Sequence, residues 1–287
     1  MSYKKTKSEF ARAFPSRNVV SHKGDYGKLL LLCGSKGFTG AAYLAACAAV
    51  RAGAGLVTLV VPESLNTILA VKLTEVMTLP LGDNGKGFLL SDNMNEIMKN
   101  IDNKDVIGIG PGLGCNESTA QLVRELYVRC DKPIVLDADG LNAFIGHKDS
   151  LRKRQGQVII TPHAGEFERL FGKSNASRED RALAEARDLG LVVVLKGAHT
   201  VVASPEGELY VNTTGNPGMA SGGTGDCLLG MITAFVGLGL SPFAAAKFGV
   251  FVHGLAGDIA RDEYGEISMN ATDLLNALPQ AFLRLTR

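Results

Sequence analysis

Four short segments carry residue types able to do chemistry together. The densest is Gly215-Asn-Pro-Gly-Met-Ala-Ser-Gly-Gly-Thr-Gly-Asp226, which runs directly into the apolar stretch Cys227–Gly237. Glycines at 222, 223 and 225 let successive backbone N–H groups converge on an anion. A helix starting there would add its partial positive charge and unpaired N–H groups, which suits a phosphate. Asp226 is out of place beside bound phosphate unless it has another task. Its plain role is an N-cap, worth ~1 kcal/mol; its chemical role is general base for an attacking hydroxyl.

The other segments each end an apolar run. Val135-Leu-Asp-Ala-Asp-Gly-Leu-Asn142 places Asp137, Asp139 and Asn142 where they can hold Mg²⁺ directly or through water, or where Asp139 only caps a helix. Thr161-Pro-His-Ala-Gly-Glu166 offers His163 as a ligand contact and Glu166 as a helix-entry residue able to reach Mg²⁺ by way of water. Lys196-Gly-Ala-His-Thr200 could bracket a nucleotide or simply turn the chain. Two glycine-rich loops, Gly34–Gly40 and Gly108–Gly114, can bring bare backbone against a ligand or serve close packing. His22, Lys23, Gly24 and Tyr26 suggest an arm or an interface, whereas His147, His199 and His253 have no partner pattern.

Positioning these residues falls to short runs bounded by Gly, Pro or Asp: Lys28–Cys33, Leu56–Val61, Val106–Ile109, Pro133–Leu136, Val158–Thr161 and Leu191–Leu195. Continuous apolar runs suit strands covered on both faces. Helical spacing appears between them over Ala41–Ala52, Ser118–Arg129 and Arg178–Leu189. Thr200–Ala203 and Glu208–Val211 flank Ser204-Pro-Glu-Gly207 as a β-hairpin, and helices follow over Asp226–Gly237, Pro242–Arg261 and Asn270–Arg284. The segment Phe243–Val252 reads as core. Alternating strand and helix with no linker or repeat predicts one α/β domain over residues 1–287, a mostly parallel sheet with helices on both sides. Ligands of such sheets bind beyond the carboxyl ends of the strands, where the four segments fall.

Composition narrows the function. With 30 basic and 29 acidic side chains the net charge is +1, so no basic field for nucleic acid exists. Apolar residues at 46% exclude whole-chain disorder. The 34 glycines exceed the usual ~7% without a Gly-X-Y period. Five scattered cysteines without a C-x-x-C pair argue against zinc and disulfides and for a reducing compartment. The N-terminus lacks an apolar signal core, and Cys227–Leu240 is too short to span a bilayer, so the expectation is a cytoplasmic chain with no membrane partner. Neither G-x-x-x-x-G-K-[ST] nor G-x-G-x-x-G occurs, which removes the fingerprints of P-loop and Rossmann proteins.

Taken together, the motifs resemble those of the ADP/ATP-dependent (S)-NAD(P)H-hydrate dehydratases of the ribokinase-like superfamily. Asn216–Asp226 looks like their signature, with Gly223-Thr-Gly-Asp226 as the superfamily's anion-hole motif. In order along the chain, His22–Gly27, Gly37–Ala41, Arg51–Leu56, Gly110–Gly114, Asp137–Asn142, Thr161–Glu166 and Lys196-Gly197 fit as well. Cys227 and Leu229 depart from the pattern, where Val and a small residue would be expected.

The resemblance implies a three-layer α/β/α fold and a metabolite-repair lyase that restores NADH and NADPH from their C6 hydrates, using ADP or ATP as co-substrate and Mg²⁺. It implies Asp226 as the catalytic base, with the anion hole at Gly222, Gly223, Thr224 and Gly225. Nucleotide would lie at Lys196, Gly197, Ala198, His199, Thr200 and Gly225. The hydrate would lie at Ala41, Ala42, Gly112, Gly114, His163 and Asp226, and Mg²⁺ at Asp137, Asn142 and Glu166, directly or through water. It also implies a homotetramer, no fused epimerase domain, and a separate NAD(P)H-hydrate epimerase as functional partner. Two alternatives share the anion hole: a ribokinase-like kinase of a vitamin-precursor alcohol, which would stop at the phosphorylated product, and a non-catalytic nucleotide sensor.

Overall fold

The apolar runs become strands of one nine-stranded sheet in the computed structural model, which describes residues 3–154 and 156–286. The strands are β1 (Lys28–Leu32), β2 (Leu56–Pro62), β3 (Met77–Leu81), β4 (Val106–Ile109), β5 (Ile134–Leu136), β6 (Val158–Ile160), β7 (Val192–Leu195), β8 (Val201–Ala203) and β9 (Leu209–Val211). Their order is 3-2-1-4-5-6-7-8-9. The first seven run parallel, and β8 and β9 add the expected antiparallel hairpin at one edge. The order reverses between β1 and β4, which opens a crevice at their carboxyl ends.

Eleven helices among the described residues cover the two faces: α1 (Tyr3–Ala13), α2 (Thr39–Arg51), α3 (Asn66–Lys72), α4 (Met94–Ile101), α5 (Glu117–Arg129), α6 (Asp139–Asn142), α7 (Ala164–Phe171), α8 (Arg178–Leu189), α9 (Thr224–Gly237), α10 (Pro242–Ser268) and α11 (Ala271–Thr286). Leucines 29 and 31 of β1 point to the core shared by α1, α2, α3, α9, α10 and α11. Leucines 30 and 32 point the other way, to the core of α4, α5, α7 and α8. A central strand buried on both sides therefore has to be apolar at every position. The three-layer α/β/α expectation holds.

Three expectations shift. The strand β3 has no continuous apolar run, because Met77-Thr-Leu-Pro-Leu81 is an edge strand, partly exposed and carrying Pro80. Helix α10 runs past Arg261 to Ser268, with a non-helical break at Gly265 (φ 77°). It is long and apolar enough to cross a membrane, but 78% of its most apolar window is buried within the fold, as for a core helix. Helix α9 starts at Thr224, two residues before Asp226. It lies close on α2 because Gly230 has no side chain: a Cβ there would come within 2.0 Å of the Ala45 carbonyl oxygen.

Candidate active site

Residues Cys33, Gly110, Asp137, Thr161 and Lys196 each follow a parallel strand, so the topology alone gathers their loops along one edge of the sheet. Asp137 is buried, and its Oδ1 takes a hydrogen bond of 2.5 Å from Lys196 Nζ. The same ammonium lies 3.9 Å from Glu166 Oε2, so one cation sits between two buried carboxylates. Glu166 and His163 form a capping box at the start of α7: Glu166 accepts from the His163 N–H at 2.8 Å, while His163 Nδ1 accepts from the N–H groups of Gly165 and Glu166. The expected helix-entry role of Glu166 is therefore real, and the oxygen that accepts from His163, Oε2, is also the one nearest Lys196, while Oε1 lies 3.4 Å from His163 Nε2.

The amino end of α9 is built for an anion. Gly223 stands just before it with left-handed backbone (φ 96°), and no side chain caps the helix, so the N–H groups of its first turn are left without the usual partner. Ser221 Oγ, in the same loop, is buried with no hydrogen-bond partner among the described residues, and its hydroxyl suits donation to a phosphate oxygen. Asp226 is the third residue of the helix, so the N-cap reading is corrected: Gly223 holds that position. Its carboxylate makes no hydrogen bond among the described residues. Burial pushes its pKa up to about 6, with the charges of Asp137 and Asp139 adding to the rise and Lys196 opposing it. A carboxylate poised near neutrality with nothing bound to it suits proton transfer.

Asp139 does not cap α6 either. It is the first residue of that helix, and its oxygens accept from the Gly114 N–H at 2.8 Å and from Asn142 Nδ2 at 3.1 Å, tying the β4 loop to the β5 loop. Ala138, between the two aspartates, is held at φ 47° and ψ −120°, which strains a residue with a Cβ. The Asn142 carboxamide is occupied by Asp139 and by Arg169 at 3.3 Å. Among the described residues no three His, Cys, Asp or Glu side chains converge into a cation cage. Of the residues expected at Mg²⁺, Asp137 and Glu166 bring carboxylates to this centre, both beside Lys196, and could hold a cation only in part or through water.

Beside this polar centre lies a cavity of about 750 Å³, lined by Lys196–Thr200, Asn212–Pro217, Ser221, Gly225 and His253, and His163, expected at the hydrate, lines it too. Its volume suits a nucleotide, with Lys196 and the α9 terminus at one end. Three residues that the sequence did not single out shape it. Arg178 donates to the carbonyls of Ala198 at 2.6 Å and Leu195 at 2.9 Å, fixing the turn after β7. His253 Nε2 lies 2.8 Å from the Thr224 carbonyl oxygen, and burial lowers its pKa to about 4, so a neutral ring donates there. Asp258 accepts from the Gly215 N–H and Asn216 Nδ2, anchoring the start of the loop. Each acts on a partner 17 to 43 residues away, and no local spacing reveals such a contact.

On the crevice side, the Gly34 N–H donates to the Pro111 carbonyl at 2.8 Å, joining the loops after β1 and β4. A Cβ at Gly112 would come within 3.0 Å of the Ala41 Cβ, so these two of the residues expected at the hydrate are brought together. The turn His22–Tyr26 lies apart, at the amino end of β1, where the Gly55 N–H bonds the Tyr26 carbonyl.

The family described as NAD(P)H-hydrate dehydratase matches residues 29–280. This chain belongs to that family. A bifunctional NAD(P)H-hydrate repair enzyme from Moorella thermoacetica is 46% identical over 275 residues, covering 94% of this chain and 52% of that protein. The chain thus spans about half the length of the bifunctional relatives it matches. The ADP-dependent (S)-NAD(P)H-hydrate dehydratase of Bacillus subtilis is 35% identical over 283 residues, 97% of each chain. The crystal structure of the B. subtilis ADP/ATP-dependent NAD(P)H-hydrate dehydratase, co-crystallized with ATP/Mg²⁺, superposes with a TM-score of 0.84 at 34% identity over 97% of each chain. The family's ribokinase-like α/β fold, expected from the motifs, is therefore the fold of this chain.

Proposed function

We propose that this protein restores NADH and NADPH from their (S)-C6 hydrates in a dehydration driven by ADP or ATP. The observation that carries the reading is Asp226: an unbonded carboxylate of raised pKa at an uncapped, glycine-built helix start, one residue from Gly225 and near Lys196. Nucleotide would lie along Lys196–Thr200 with its terminal phosphate on the N–H groups of Gly222–Gly225. The hydrate would lie along Ala41, Ala42, Gly112, Gly114 and His163.

Asp226 takes the proton of the C6 hydroxyl while that oxygen attacks the terminal phosphorus, and the bond to the nucleotide's bridging oxygen breaks. Lys196 and the backbone N–H groups hold the charge on the transferred phosphoryl. The C6 oxygen now belongs to a phosphate ester. Ring-nitrogen electrons expel the phosphate, and loss of a ring proton restores the dihydronicotinamide. Bound Mg²⁺, beside Asp137 and Glu166, would neutralise phosphate charge. The reading extends to a cytoplasmic homotetramer working with an NAD(P)H-hydrate epimerase, a pairing supported by the half-length match to bifunctional repair enzymes.

Asp226→Asn separates binding from chemistry. The variant should bind ADP within about twofold of the wild type while hydrate turnover falls by ~10²-fold or more; unchanged turnover removes Asp226 as the base.

A further inference from the structure

We infer that Phe38 forms a stacking platform for the pyridine-derived ring of the hydrate, an assignment that rests on the function proposed above. Phe38 is 58% exposed, the most exposed aromatic side chain among the described residues, although it sits on a loop joined to the sheet's central crevice. Its Cβ lies directly over the bare backbone of Gly112: a Cβ added there would be 2.8 Å from it, and 3.0 Å from the Ala41 Cβ. Side chains added at Gly37 or Gly40, on either side of it, would meet nothing within 4 Å, so the loop borders open space. Leu44, less than two turns along α2 from Phe38, lies where a Gly223 Cβ would fall, which sets Phe38 and the Asp226 helix start at the same end of α2. The nucleotide cavity is lined by Lys196–Thr200 and does not include this loop. An exposed apolar ring rooted beside the bare backbone of Gly112, on the acceptor side, gives a flat heterocycle one face to stack on, and leaves Asp226 to meet its hydroxyl.

The test uses Phe38→Leu, Phe38→Tyr and Phe38→Trp in the full chain. Phe38→Leu should raise the KM for the hydrate about tenfold with the KM for ADP within twofold, and Phe38→Tyr should restore it. The chain has no tryptophan, so Phe38→Trp carries the sole indole emitter. Its fluorescence should be quenched saturably by NADH and left unchanged by ADP-ribose, which lacks the nicotinamide. An unchanged hydrate KM in Phe38→Leu, no quenching by NADH, or equal quenching by ADP-ribose overturns the assignment. If the wild type fails to repair hydrate, the proposed function falls, while the fluorescence titration still decides whether a dihydronicotinamide binds near position 38.

Discussion

Lys196 and Asp137, 59 residues apart in sequence, meet as a partly buried ion pair of 2.5 Å at the carboxyl edge of the sheet. Asp137 is the more deeply buried partner, and the ammonium also reaches toward Glu166 and the start of α9. One lysine thus neutralises two structural carboxylates and lowers the pKa of a third, Asp226.

Replacing it should act on both levels. Lys196→Met leaves Asp137 charged and buried without its partner, a loss of about 3 kcal/mol in urea unfolding at pH 7. The Asp226 carboxyl should climb further above about 6, and the acid limb of any remaining activity should move to higher pH.

Activity of the wild type should follow the ionisation of Asp226. With its pKa at about 6, kcat/KM for the hydrate should fall tenfold per pH step below that value and level off above it. Stability runs the other way. The folded state holds this proton more tightly than the unfolded chain does, so the stabilising contribution is complete below about 3.8 and is lost as pH rises through about 6. Asp226→Asn should therefore unfold with about 2 kcal/mol more stability than the wild type at pH 8, a difference that disappears near pH 4.

Gly223 and Gly225 separate steric from chemical need. A Cβ at Gly225 would meet Lys196 Nζ at 3.4 Å and Asp137 Oδ2 at 3.8 Å, ordinary contacts, so Gly225→Ala should fold with its Tm kept. The methyl group occupies the phosphate's space, and ADP affinity should drop at least about tenfold in calorimetric titration, ~1.4 kcal/mol. At Gly223, φ is 96° and a Cβ would come within 2.5 Å of Leu44 Cδ1, so Gly223→Ala should lower the Tm as well.

Ala138→Gly should relieve the strain at φ 47° and raise stability by about 1 kcal/mol in the same urea measurement. Activity should not rise with it, since Asp137 and Asp139 on either side lose a stiff link.

Which parts of this molecule could be read from its residues follows from how local each signal is. The strands β1, β2 and β4–β7 are buried on both faces and must be continuously apolar, so their runs are visible. Helix α1 was not, because in Tyr3–Ala13 only Thr6 and Phe10 are buried and the rest is charged or exposed. The glycine loop and Asp226 were legible as anion chemistry, but not the true helix start at Thr224, which depends on the left-handed backbone of Gly223. The spacing around Lys196 allows a nucleotide bracket or an ordinary turn, because its partners Asp137 and Glu166 are 59 and 30 residues away. His253 had no pattern because its partner is a backbone carbonyl 29 residues away.

The most direct test of phosphoryl transfer driving dehydration is to incubate the protein with the (S)-C6 hydrate of NADH, Mg²⁺ and either ADP or ATP. Reduced-cofactor absorbance and released phosphate are followed together. Equimolar appearance of NADH and phosphate, dependent on nucleotide and lost in Asp226→Asn, is the predicted result. No NADH recovery with either nucleotide, or phosphorylation of a vitamin-precursor alcohol with the ester as the final product, would contradict the account.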